Sequence, residues 1–310
     1  METVGALARP APTWQERFAR WRWRHRQPVA AYLILTPMLI YFILFTWIPI
    51  VVLAIFSFTE WNVVQWPPTF VGLDNYIQIF TDSYYHNVMR VTITLGLLVL
   101  FLNMSLGLSV ALLLNEKIKG RGAFRTIWYL PVVISGAVMA QTLAVFLYPG
   151  DSGVVNSLLG LVGLKSVIWT VSTFWMPVWV VLFAVWRGVG VVVIFFLAGL
   201  QSIDPVLYEA ARVDGASQPQ SFRHITIPQL APITLFIFVT QSVGALQMWE
   251  APLVLTFGGP DNSTRTMVYS LYSDAFSNLT MGLATAQSVI LLIVLVALSA
   301  TNLRVFRVKY

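Results

Sequence analysis

Few side chains in this sequence are equipped for chemistry. It has no cysteine, which excludes thiol catalysis, disulfides and Cys-ligated zinc or iron–sulfur centres. Its three histidines, His25, His86 and His224, fall in separate regions, and no HExxH or G-x-x-x-x-G-K-[ST] pattern occurs. No Ser or Asp stands in a nucleophile–base arrangement, so no catalytic residue, metal site or cofactor is expected within the chain. What remains is a set of polar groups inside long apolar runs, where an ionisable side chain is costly and a functional candidate by default. Glu250 lies in Gln247-Met248-Trp249-Glu250, with Gln241 about two turns earlier. On a continuous helix Gln247 and Glu250 share a face, and Trp249 points about 100° away. Amides and a carboxylate beside an indole suit a hydroxylated solute, whose O–H groups need partners and whose C–H face is apolar. The alternative reading has Glu250 near an outer interface, meeting water or a partner protein. Arg187 is followed by Gly188 and Gly190, which let a neighbouring helix approach. It reads as an arginine paired inside a helical bundle, as a contact to a partner, or as a phosphate ligand. Asn103, Gln141 and Gln287 read as interhelical hydrogen bonds.

These residues sit in a chain of 310 residues that is 57% hydrophobic and only 10% charged, against roughly a quarter charged in soluble domains. So few charges cannot cover the surface of a soluble globule, and intrinsic disorder is excluded by the same numbers. Six apolar stretches are long enough for a bilayer core of about 30 Å: 30–58, 88–114, 126–148, 176–200, 229–257 and 283–303. Pro131, Gly136 and Gln141 interrupt the third. The expected organisation is a basic tail (1–29), a first transmembrane helix (30–58), an external loop (59–87), a five-helix core (88–303) and a short C-terminus (304–310). The apolar run after the arginine-rich start is about twice the length of a signal-peptide core and has no small-residue cleavage pattern, so a cleaved leader is not expected. Trp14, Trp21 and Trp23 interleave with arginine there, as in a segment lying at a lipid interface.

The charges are arranged for a membrane rather than for nucleic acid. Arg9, Arg17, Arg20, Arg22, Arg24 and Arg26, then Lys117, Lys119, Arg121 and Arg125, then Arg212 and Arg223, and finally Arg304, Arg307 and Lys309 all fall on one side. The opposite loops offer Lys165 and Arg265. Fifteen basic residues against two put both termini in the cytoplasm.

The most informative stretch is the cytoplasmic loop 201–228. Asp204 can cap a helix that starts with Pro205. Gly215 is a natural left-handed C-terminal residue, and Ser217 with Gln220 reads as the capping box of a second short helix. Two capped helices meeting at a bend, with Ala210 and Ala211 flattening one face, are more than a connector requires.

Glu209-Ala210-Ala211, then Asp214-Gly215-Ala216, then Phe222, Ile225 and Pro228 resemble the EAA loop of ATP-binding cassette (ABC) importer permeases, with Ile227 where that family often has leucine. The likeness extends over nearly the whole chain after the tail. Phe70-Val71-Gly72-Leu73-Asp74-Asn75-Tyr76, Ala111-Leu112-Leu113-Leu114-Asn115 with Gly120, Phe124-Arg125 and Pro131, and Gly153-x-x-Asn156-x-x-Leu159 are similar to the carbohydrate-uptake branch. Leu255-Thr256-Phe257-Gly258-Gly259-Pro260, with Thr264, resembles the MalF/UgpA-like member of each permease pair.

The resemblance implies an all-α membrane protein of the prokaryotic inner or plasma membrane, with six transmembrane helices in the type I (MetI-like) importer permease fold. It implies that loop 201–228 is a coupling helix docking on a cytosolic ATPase. It further implies a second homologous permease, two ATPase subunits carrying ATP and Mg, and an extracytoplasmic solute-binding protein; membrane lipid is the remaining partner and nucleic acid is not one. The solute it implies is a di- or oligosaccharide, with glycerol-3-phosphate or a polyol as alternatives, and Gln241, Gln247, Trp249 and Glu250 are candidates for its path. An ion-coupled secondary transporter is the rival class. It predicts several membrane carboxylates around an ion site, where only Glu250 is available, and leaves the loop unexplained.

The charge asymmetry makes a direct prediction. Cysteine introduced at Asp74 should react with an impermeant thiol reagent from outside the cell, and cysteine at Ser217 only after permeabilisation. Reversed labelling would sink the assigned orientation.

Overall fold

The computed structural model describes residues 13–14, 32–116 and 119–305. Arg9, Arg17, Arg20, Arg22, Arg24, Arg26, Trp21, Trp23, Lys117, Arg307 and Lys309 lie outside the described residues, and so does most of the expected 1–29 tail. The chain divides into two units, 1–55 and 56–310. The first carries helix α1 (Tyr32–Phe56), whose last residue opens the second unit. This helix widens to π geometry over Ile43–Trp47, with the Ile48 N–H bonded back to the Ile43 carbonyl. Pro49 follows. It has no N–H to give and crowds the preceding turn, and a π turn accommodates both.

The second unit opens on a two-residue hairpin, β1 (Thr59–Glu60) paired antiparallel with β2 (Thr69–Phe70) in the register Thr59 to Phe70. Helix α2 (Asp74–Thr81) is fastened beneath it. The Asn75 side-chain amide donates to the Ser57 and Thr59 carbonyls at 2.9 and 3.0 Å. The long helix α3 (Ser83–Asn115) is capped by Asp82, whose carboxylate accepts from the Tyr84 N–H at 2.8 Å. It begins five residues before the expected span, so Arg90 stands in its second turn, near the end where Lys165 and Arg265 were counted. Arg90 is thus a third basic residue at that end, where two were expected.

The expected third span, 126–148, is not a straight helix. It is replaced by α4 (Arg121–Val133) and α5 (Gly136–Phe146), bent by 97° at Ile134–Ser135. Pro131 withdraws a donor from the last turn of α4, and Ile134 and Ser135 are extended, with ψ of 140° and 128°. A short helix α6 (Val154–Leu161) follows. Its Asn156, 1% exposed, gathers the loop around itself: Oδ1 accepts from the Val167 N–H (3.0 Å) and Trp169 Nε1 (3.1 Å), and Nδ2 donates to the Gly150 and Val167 carbonyls.

Helix α7 (Trp175–Gln201) packs along α3 to form the centre of the unit. Then come α8 (Pro205–Val213) and α9 (Gln218–Leu246). The expected fifth span, 229–257, is therefore displaced at both ends. The second helix of loop 201–228 is not short. It runs through a π turn at Phe222–Thr226, ahead of Pro228, straight into the span. Helices α10 (Met267–Tyr272) and α11 (Met281–Val305) complete the unit. Among the described residues five helices are long and apolar enough to cross a membrane, or six if the bent pair counts as one span.

One core cluster joins α3, α7 and α9 through Ala111, Val192, Phe196, Leu230 and Ile237. Glycines set the helix spacing there. A Cβ on Gly107 would run into Val192 of α7, and one on Gly190 into the Trp128 backbone carbonyl of α4. That carbonyl is not the end of a flexible side chain and cannot swing aside. Gly190→Leu should therefore cost about 1–3 kcal/mol of stability or block assembly. Gly122→Ala, in open space on α4, should be neutral or slightly stabilising. Thermal unfolding of the detergent-solubilised protein checks both, and equal melting temperatures would refute the close approach.

Candidate functional site

The polar residues singled out in the apolar runs converge. A cavity of about 410 Å³ is lined by Asn103 of α3, Arg187 of α7, Gln241 of α9, and Gln247, Trp249 and Glu250 beyond its end. Arg187 and Glu250, 63 positions apart, form an ion pair through Nη1 and Oε2. Asn103 Nδ2 donates to Gln241 Oε1 at 3.1 Å. Two glycines make room for these groups: a Cβ on Gly188 would meet Asn103 Nδ2 at 2.7 Å, and one on Gly136 would strike the Glu250 carboxylate.

The local geometry differs from the expected shared helix face. Helix α9 ends at Leu246, Gln247 is its C-cap, and the chain resumes helical turns only at Glu250. Pro252 supplies the reason. It has no N–H for the Met248 carbonyl, which accepts instead from Thr266 Oγ1 at 2.7 Å. The residues meet because the chain breaks and lines a cavity, not because they share a turn. Trp249, 41% exposed, lies 6.3 Å from the Tyr272 ring. Gln141 is exposed on α5 and does not reach the cavity.

The Gly-Gly-Pro segment braces this break. Thr264 is fully buried, with its hydroxyl 2.6 Å from Thr256 Oγ1 and 2.9 Å from the Gly259 carbonyl. The Met267 N–H donates to Thr92 Oγ1 of α3 at 2.8 Å. A second polar cluster was not legible in the sequence. Asp274, 4% exposed, accepts from Tyr85 Oη (3.2 Å), Gln287 Nε2 (2.7 Å) and Asn278 Nδ2 (2.8 Å). Its available signal was Gln287 in an apolar span.

The opposite end of α9 forms an elbow with α8. Asp204 Oδ1 accepts from the Val206 N–H at 2.9 Å, and Pro205 occupies the first turn. Gly215 has φ +79°, and the Gly215 and Ala216 N–H groups close α8 on the Arg212 and Ala211 carbonyls at 3.1 and 2.9 Å. The Ser217 N–H donates to Gln220 Oε1 at 2.7 Å. Tyr208 Oη, 2.9 Å from Thr226 Oγ1, ties α8 to the base of α9, and Ile225 packs on the core beneath. Asp214 is the C-cap of α8, and Phe222 opens the π turn that Pro228 follows. Glu209 and Ala210 face solvent, as do Val206 (61%) and Val213 (88%), which lie three residues before and four after Glu209 and so on its face. Glu209 has no ion-pair partner among the described residues. Helix α9 thus links two sites: Gln218 in the elbow and Gln241 in the cavity are separated by about 35 Å of helix.

The chain as a whole is similar to known proteins. The sequence is 33% identical over 89% of its length to the arabinooligosaccharides transport system permease protein of Halalkalibacterium halodurans, covering 87% of that protein. It is 32% identical over 89% of its length to the sn-glycerol-3-phosphate transport system permease protein of Agrobacterium fabrum, covering 94% of it. Among solved structures it is similar to a bacterial ABC transporter involved in import of the acidic polysaccharide alginate, at 26% identity and TM-score 0.81 over 93% of this chain and 98% of that one. The alginate transporter in complex with an alginate pentasaccharide-bound periplasmic protein matches at 26% identity and TM-score 0.79, over 93% and 97%. Residues 36–305 match the family model of the binding-protein-dependent transport system inner membrane component, and the chain belongs to that family: it is a multi-pass ABC importer permease of the type I fold.

Proposed function

We propose that this chain is one of two membrane subunits of an ATP-driven importer for a sugar, a di- or oligosaccharide, and that it has no catalytic site of its own. The observation that carries the reading is α9, one helix that starts in a solvent-facing elbow and ends in a polar cavity. In this reading the elbow and both termini are cytoplasmic, and Glu209, Ala210, Ala211, Asp214, Gly215, Ala216, Phe222, Ile225 and Pro228 form or support the surface that docks on one of two ATPase subunits. Those subunits bind ATP and Mg. A solute-binding protein delivers solute on the other side, and a second homologous permease closes the far wall of the path. Closure of the ATPases moves α8, Tyr208 passes the motion to the base of α9, and α9 moves the wall that carries Gln241.

The chemistry of each end supports its role. Val206 and Val213 offer apolar surface around a carboxylate, and a charge-assisted contact from Glu209 to a basic ATPase residue is worth roughly 1.5–3 kcal/mol. A Cβ on Gly215 would meet nothing within 4 Å, so a substitution there acts through backbone conformation alone, at about 1–2 kcal/mol.

In reconstituted complex, Glu209→Lys should weaken ATPase docking about tenfold or more. Gly215→Val should uncouple binding-protein-stimulated hydrolysis from solute accumulation, whereas Gly215→Asn, which tolerates the left-handed region, should retain coupling. Normal coupling in Glu209→Lys and Gly215→Val would make the elbow an ordinary connector. At the cavity, the double variant Gln247→Ala/Glu250→Ala should lower uptake at least about tenfold while the assembled complex still forms. Unchanged uptake kinetics would remove both residues from the path.

A further inference from the structure

Among the described residues, Arg187 and Glu250 are the only charged groups lining the cavity, and their pairing leaves it with no net formal charge. The Glu250 carboxylate is also seated over Gly136, the first residue of the 11-residue helix α5, where the helix dipole favours an anion. Arginine and helix start together make a place for a negative group, and the protein fills that place itself. The remaining polar groups of the wall include the amides of Gln241 and Gln247, each of which both donates and accepts and so matches a hydroxyl in either sense.

We propose that Glu250 is an internal counter-anion that sets the charge selectivity of this cavity. It admits uncharged polyhydroxylated solutes, which meet the amides of Gln241 and Gln247 and the Trp249 indole, and it rejects anionic ones such as phosphate esters and uronates. The proposal rests on the reading of this cavity as the solute path. An anion arriving here finds its counter-charge already bound and a carboxylate in front of it. Without the carboxylate, Arg187 and the first turn of α5 become an anion site.

The absence of cysteine makes the test direct. Gln247→Cys is the sole thiol of this chain, and in membrane vesicles holding the full transporter its modification is followed by mass spectrometry of this subunit. The probes are the anionic 2-sulfonatoethyl methanethiosulfonate and the neutral methyl methanethiosulfonate, and the readout is the ratio of their rates. In the Glu250→Gln background this ratio should rise about tenfold, in Arg187→Gln it should fall by a similar factor, and in the double Arg187→Gln/Glu250→Gln background it should return to the starting value. The double variant keeps the test usable where one charge left alone prevents folding. A ratio that stays within about twofold across these backgrounds overturns the proposal. A cysteine that the neutral reagent cannot reach overturns it together with the path. The expected shifts, combined with uptake that ignores Gln247→Ala/Glu250→Ala, leave the charge selectivity standing and remove only the path.

Discussion

Opposite charges in an apolar helical bundle are held there by each other, and the Arg187–Glu250 pair is the constraint around which the second unit is arranged. Their side chains are 36% and 24% exposed, so either group alone would carry part of the cost of leaving water. Together they draw three separate segments to one place. Arg187 and Gly188 come from the middle of α7, Gly136 from the sharp bend between α4 and α5, and Glu250 from the break beyond α9. Irregular backbone at membrane depth survives only where it is buried in protein or lines a wet cavity, because lipid supplies no hydrogen bonds. Here both breaks border the same polar space. The bend at Ile134–Ser135 and the end of α9 at Leu246 are therefore parts of one construction.

The two ends of α9 are held differently. At the cavity end, Thr266 bonds the Met248 carbonyl and the Met267 N–H bonds Thr92, so the broken segment is fixed to α3 through short contacts. At the elbow end, α8 touches α9 through Tyr208 and Thr226 and otherwise presents Val206, Glu209 and Val213 outward. A continuous helix is the one element that joins the two ends, so a displacement at the elbow has a direct route to the cavity. The π turn at Phe222–Thr226 falls at the junction of elbow and span, ahead of Pro228, where a wider turn spares the helix from ending. In the proposed reading, that continuity is the mechanical link between hydrolysis and the solute path.

The elbow was legible in the sequence because its signals act over a few residues. Asp204, Gly215, Ser217 and Gln220 each take part in a hydrogen bond close in sequence, and Pro205 removes an N–H that would have no partner in the first turn. The expectation failed only in extent, since nothing at Phe222 announces that a helix will pass through a π turn instead of stopping. The cavity was legible residue by residue but not as a site. Arg187, Gln241, Gln247, Trp249 and Glu250 were each conspicuous in apolar surroundings, yet the ion pair spans 63 positions and no local pattern encodes it. The break that brings them together did carry a mark: Pro252 deprives Met248 of its helical donor, and a helix drawn from 229 to 257 runs over it. Asp274 was hidden for a related reason, because its partners Tyr85 and Gln287 come from two other helices.

If the cavity is the solute path, its neutralised arginine bears on release, since a solute must be recognised on the way in and still be free to leave. An unpaired Arg187 would hold a phosphate or carboxylate strongly enough to slow its departure, and the Glu250 carboxylate keeps that trap closed.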